Sequence, residues 1–217
     1  YSSKIFYAVV EGSQDEDDLW SPSILRFKIL PGNYLVRAGE AVLHNYAPFE
    51  LDLAKMGSHH ADFHPDGVHI YVGSAEGHVF VVDKNTMTVE HMIETGLGSG
   101  HTTFVPKHGV AFVTNHNDTH MTVIDTTNHT LLKNIKVAED YPPAGHKSQA
   151  HTSSVSPDQD YFYSAASHDG VFFKINVKTL TLSPDKLDLN EAVLTDSPVN
   201  ILMGSFIWAG EGDSGGM

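Results

Sequence analysis

The 217 residues are 41% hydrophobic and 18% charged, a globular composition, and no apolar run reaches the roughly 18 residues a membrane-spanning helix needs. The formal charge is −14, from 27 acidic against 13 basic residues, which argues against the positive footprint that nucleic-acid binding requires. Cysteine is absent, so disulfides, thiolate metal sites and cysteine nucleophiles are excluded.

The N-terminal stretch contains three strand-like runs: KIFYAVVEG (4–12), SILRFKI (23–29) and YLVRAGEAVL (34–43). The acidic run Ser13–Asp18 between the first two offers oxygen ligands but lacks the spacing of a calcium loop, so it reads as a solvated loop. The chain opens at Tyr1 rather than Met, with no signal peptide. It reads as a processed product of an exported protein, which sets the expectation of a periplasmic or extracellular location. Two formal glycosylation sequons, at Asn117 and Asn128, matter only in a eukaryotic host.

From position 64 a repeat is visible. The turn signals HPDG (64–67), VPKHG (105–109) and SPDQD (156–160) each precede a strand that ends in small residues. Those strands are HIYVGS (69–74), VAFVTN (110–115) and YFYSAA (161–166). A polar turn and a second strand follow each: HVFVVD (78–83), HMTVID (120–125) and VFFKIN (171–176). Third strands can be read at TVEHMIE (88–94), TLLKNIKV (130–137) and TLTLS (179–183), and the tail at 197–210 offers a lone strand of a fifth unit. A period of about 40 to 50 residues, short alternating strands and no convincing helix predict an all-β chain, a β-propeller of about four blades over residues 1–217. Four blades are too few for the larger rings. The propeller is therefore expected to be a fragment of a longer protein, or to be completed by self-association or by a second chain.

Histidine is the compositional anomaly. Fifteen are present, against 13 lysines and arginines together. Three fall into the repeat: His60 twelve residues before Val72, His101 twelve before Val113, and His151 twelve before Tyr163. All three precede the first strand read in each unit. First strands line a propeller's channel, so three imidazoles from three blades should face one point, as metal ligands do. His59 adjoins His60, and His146 sits in a Pro-Pro-Ala-Gly loop that could present a ligand. His116 and His168 in turns, and His78 and His120 at strand starts, read as exposed polar residues. His44, His64, His69, His91, His108 and His129 read as surface or strand-face residues. GLGSG (96–100) reads as a blade connection, because no helix follows it to form a dinucleotide loop. GDSGGM (212–217) echoes a serine-protease string that nothing else in the chain supports.

The stretch AFVTNHNDTHMTVIDTTNHTL (111–131) resembles the propeller repeat named for its Tyr-Val-Thr-Asn strand, over roughly Gly57–Val177. That resemblance implies the propeller fold and leaves function open. His59-His60, GLGSGHTTF (96–104) and PPAGHKSQAH (142–151) are similar to segments of the nitrous oxide reductase propeller family, whose style thiocyanate dehydrogenases share. The resemblance implies a copper site at the channel mouth with His59, His60, His101, His146 and His151 as ligands, acting on a small inorganic substrate or with a redox partner. Zinc or iron could fill an all-imidazole site as well. Those reductases have seven blades and a cysteine-containing electron-transfer domain, so a shorter copper-binding relative or part of a larger enzyme is expected. Imidazole binds metal in its neutral form, so binding should weaken below about pH 6. The competing expectation is a non-enzymatic propeller, an interaction platform or assembly module whose histidines are repeat consensus.

Overall fold

A computed structural model describes residues 4–12, 21–46, 57–138, 150–167 and 169–189. Fifteen strands in these residues form four antiparallel sheets. The first sheet has three strands, β1 (Lys4–Val10), β2 (Ser23–Leu30) and β3 (Tyr34–Val42). The second runs β4 (Ser58–Phe63), β5 (His69–Ser74), β6 (His78–Asp83) and β7 (Thr88–Glu94). The third runs β8 (Ser99–Val105), β9 (Val110–Asn115), β10 (His120–Asp125) and β11 (Thr130–Lys136). The fourth runs β12 (Ser153–Val155), β13 (Tyr161–Ala166), β14 (Val171–Asn176) and β15 (Thr181–Asp188). Each strand pairs with its sequence neighbour, as propeller blades do.

The blades are four-stranded where the repeat predicts three. An inner strand, β4, β8 or β12, precedes each first strand that the sequence pattern reveals. Ser99 and Gly100 open β8, so only part of GLGSG connects blades. The runs SHHADF and SGHTTFV carry little of the alternating β-branched pattern that marks a strand. Three expected features, the acidic run at 13–18, the strand at 197–210 and the terminal GDSGGM, lie outside the described residues.

Blades stack face to face, so the middle strands are buried on both sides and read as continuous apolar runs. The period-two alternation then sends neighbours into different cores. In blade 2, Ile70, Val72, Phe80 and Val82 pack with Ile24, Ala41 and Leu43 of blade 1. The intervening Tyr71, Val79 and Val81 pack with Val113 and Ile124 of blade 3. A third core joins blades 3 and 4, where the Phe112 and Phe162 rings stack with centroids 4.3 Å apart.

The turns between middle and outer strands repeat as well. Asp83 Oδ1 accepts N–H bonds from Asn85 and Thr86, Asp125 Oδ1 from Thr127 and Asn128, and Asn176 Oδ1 from Thr179. Four residues after each Asp or Asn, the chain turns left-handed, at Met87 (φ 59°), His129 (φ 54°) and Leu180 (φ 52°).

Candidate metal centre

The inner strands come together at one end of the blades. Asp62 of β4 accepts the backbone N–H of Thr102 in β8 at 2.7 Å, and Thr103 and Ser153 share a hydroxyl bond of 2.6 Å from β8 to β12. These bonds set the spacing between adjacent blades. Burial raises the Asp62 carboxyl pKa, and the Thr102 amide opposes that shift in part.

Near the start of β4 and of β8 the pairing is irregular. Ser58 pairs with Ser74 but Ala61 with Val72, so one extra residue sits between them. Ser99 pairs with Asn115 and Thr102 with Val113 in the same way. A bulge re-aims side chains that a regular strand would send to opposite faces. Adjacent His59 and His60 therefore both reach the same region, with ring centroids 4.1 Å apart.

Among the described residues, five imidazoles gather there. The His60 and His101 rings stack at 3.6 Å, and His116 and His151 at 4.7 Å. His59 lies 5.3 Å from His116, and His101 lies 5.1 Å from His151. Two triads, His59–His116–His151 and His60–His101–His151, each offer three nitrogens within 4.8 Å of one another. His59 is exposed, and the other four are half-buried. His60 Nε2 and His151 Nδ1 are buried without a hydrogen-bond partner among the described residues.

Burial, followed by the neighbouring imidazoles, lowers the pKa of His60 to about 4 and of His116 to about 3. The same causes lower His101 and His151. These four rings are neutral near pH 7, the state in which imidazole lone pairs accept a cation.

Four of the five residues singled out from sequence, His59, His60, His101 and His151, are brought together. His146 lies outside the described residues. The register needs one correction. Ser164, not Tyr163, matches Val72 and Val113, because Ala61 pairs with Val72, Thr102 with Val113 and Ser153 with Ser164. His151 is thus the counterpart of His59, and Thr152 that of His60 and His101. At the His59 position blade 3 carries Gly100, and a Cβ there would collide with the His116 ring.

His116 was expected to be an exposed turn residue, and the structure places it in the cluster. It follows β9, and its amide donates to the carbonyl of Gly98 at 2.8 Å. Its ring fills the space Gly100 leaves free. The signal was the glycine itself, at a register position where two other blades carry histidine. Gly73 has a similar role. A Cβ there would stand 2.6 Å from the Ser99 carbonyl oxygen, so glycine lets β5 approach β8 closely.

The cluster opens into a cavity of about 360 Å³ lined by Glu11, His59, Ala75, Ser99, His116, Asn117 and His151 among others. Glu11 follows β1 as Ala75 follows β5 and His116 follows β9, so blade 1 contributes a carboxylate at that position.

The sheets and their stacking define a β-propeller. Residues 34–194 match the family described as lactonase, 7-bladed beta-propeller, and the chain belongs to that family. Among solved structures the fold is similar to hydrazine synthase from Kuenenia stuttgartiensis, with a TM-score of 0.57 and 18% sequence identity. The match covers 76% of this chain and 42% of that one. The chain thus spans less than half of hydrazine synthase, and at this identity the likeness is one of fold. No curated protein matches the sequence significantly. No helix among the described residues is long and apolar enough to cross a membrane.

Proposed function

We propose that the chain is a metal-binding propeller whose channel-mouth cluster holds copper through His59, His60, His101, His116 and His151, with His146 completing the set. The observation that carries this reading is the convergence of five imidazoles from three blades, two of them with buried, unpartnered ring nitrogens. Buried polar atoms are normally satisfied, so such nitrogens aimed into one cluster are a donor set in need of an acceptor. All-imidazole donors suit copper, and zinc or iron next.

The chain's own residues supply the rest of the site. The bulges hold His59, His60 and His101 in place, Gly100 makes room for His116, and Asp62 fixes the distance between β4 and β8. Glu11 supplies a proton-accepting carboxylate at the cavity wall, and Asn117 an amide. A metal bound there would supply Lewis acidity and, as copper, electron transfer to a small inorganic substrate held in the cavity. The similarity of His59-His60, GLGSGHTTF and PPAGHKSQAH to the nitrous oxide reductase family supports copper and a redox role, in a periplasmic or extracellular setting.

The test is paramagnetic resonance of the copper-loaded protein. Nitrogen hyperfine structure from several imidazoles is expected, reduced when His60 and His101 are both changed to Ala and reduced further when His151, which both triads share, is changed as well. An oxygen-ligated copper signal unaffected by those changes would overturn the assignment.

A second reading rests on a different observation. The first sheet exposes Ile5, Phe6, Leu30, Tyr34, Leu35 and Val36. That apolar surface supports an assembly role, with a second copy or a second chain covering it and extending the ring. Concentration-dependent mass in sedimentation, abolished by Tyr34→Lys with Leu35→Lys, is expected. A concentration-independent mass would remove this reading.

A further inference from the structure

A second group of histidines stands at the opposite end of blades 2 and 3. His64 and Asp66 lie in the segment joining β4 to β5 and His69 opens β5, about 17 Å along that strand from its channel-mouth end. His64 Nδ1 and His69 Nδ1 approach the same oxygen, Asp66 Oδ2, at 3.0 and 2.6 Å. One ligand atom from each of the three residues falls within 4.8 Å of the others.

The atoms that face away from this point are held from behind. His64 Nε2 reaches the Thr126 carbonyl of blade 3 at 3.2 Å, and His69 Nε2 reaches Glu90 Oε2 at 3.0 Å. Asp66 Oδ1 accepts the backbone N–H groups of Val68 and His69 at 2.7 and 3.0 Å. A ligating imidazole typically gives its other nitrogen to a carbonyl or carboxylate, which fixes tautomer and aim. Both histidines already have such a partner. The Asp66 amide also points at His64 Nδ1, at 3.1 Å, and a cation would displace that bond.

Two further imidazoles flank the triad. The ring of His129 lies 4.7 Å from His69 and that of His91 lies 5.0 Å from His129. His129 Nδ1 is hydrogen-bonded to the buried Tyr71 hydroxyl at 2.7 Å, which leaves its Nε2 as the free side of the ring. Asp66 is exposed, so an ion reaches the triad from solvent.

We propose that His64, Asp66 and His69 form a second metal site, distinct from the channel-mouth cluster, for a first-row divalent cation of the zinc type. Tetrahedral zinc, with bonds of about 2.0–2.1 Å, needs ligand atoms about 3.3 Å apart, so the two gaps to Asp66 Oδ2 open by less than about 1 Å to admit it. Three protein ligands leave one position for water or His129. Because His64 also bonds Thr126 and Tyr71 bonds His129, an ion here clips blade 2 to blade 3.

The test uses zinc titration by calorimetry on the full chain with His60, His101 and His151 changed to Ala, which disables the channel-mouth cluster. One zinc per chain is expected, with a rise in melting temperature. Adding Asp66→Asn and His69→Gln should remove both, and Glu90→Gln should weaken binding about 10-fold. Introduced into the wild-type chain, Asp66→Asn with His69→Gln should lower the zinc stoichiometry by one and leave the channel-mouth complement intact. No zinc bound by the channel-mouth variant with native circular dichroism, or an unchanged stoichiometry on losing Asp66 and His69, would overturn the site. Either result leaves the channel-mouth reading untouched, because that reading is judged on His60, His101 and His151 alone.

Discussion

The imidazole of His116 occupies the space that a side chain at Gly100 would fill. Blade 3 thereby reaches the position that His59 and His151 fill in blades 2 and 4, using a residue from the far end of β9. Gly100 has no left-handed backbone requirement, so alanine there is tolerated by the chain but not by the ring above it. Gly100→Ala should fold and yet bind metal about 10-fold or more weakly, because a ligand has been displaced. Circular dichroism and a metal titration check the two halves. Unchanged affinity in a folded variant would remove His116 from the ligand set.

The pH profile follows from the buried imidazoles. In the folded chain His60 titrates at about 4 and His116 at about 3, below the ordinary value near 6.5, chiefly because burial penalises the charged ring. Protons therefore bind the unfolded chain first. Metal-free stability should be full above about pH 6.5 and decline as pH falls toward 4. Metal binding should persist at pH 5, lower than the fall near pH 6 that unperturbed histidines imply. Calorimetric titrations at pH 7 and 5 test this, and a half-loss of binding near pH 6.5 would contradict it.

Asp62 bridges the strands that carry His60 and His101. Asp62→Ala leaves the Thr102 amide without its acceptor and should cost about 1–3 kcal/mol. Metal affinity should fall along with stability, since the spacing of the stacked rings depends on the same bond. Asp62→Asn keeps an oxygen acceptor and should recover most of both. Denaturant unfolding and metal titration of the two variants together check the role.

Phe112 and Phe162 anchor the core between blades 3 and 4, both fully buried. Phe112→Ala should destabilise by about 3–5 kcal/mol through lost burial and the cavity left behind. Denaturant unfolding measures it, and a loss under about 1 kcal/mol would mean the two blades do not share a core.

The propeller was legible in the sequence because its middle strands are buried on both faces and repeat as apolar runs with matched turns. His60 and His101 were legible because each sits twelve residues before its matching strand residue, His59 because it adjoins His60, and His151 because it falls within one residue of the same spacing. The inner strands were not. Their sequences are rich in histidine, glycine and hydroxyl residues, and β12 is only three residues long. The one-residue offset of His151 escaped for the same reason, since strand pairing, not distance along the chain, sets the register. His116 escaped because its placement depends on a glycine sixteen residues earlier in the next strand inward. The His64–Asp66–His69 triad looked like surface because its partners, Thr126 and Glu90, come from distant turns and strands.

The most direct measurement is the metal content of the untagged protein by plasma mass spectrometry, alongside the variant with His60, His101 and His151 all changed to Ala. Copper at one or more atoms per chain in the first, falling by the channel-mouth complement in the second, is the predicted result. Copper well below one atom per chain after loading and dialysis, or a triple variant that keeps its full copper, would contradict the channel-mouth site.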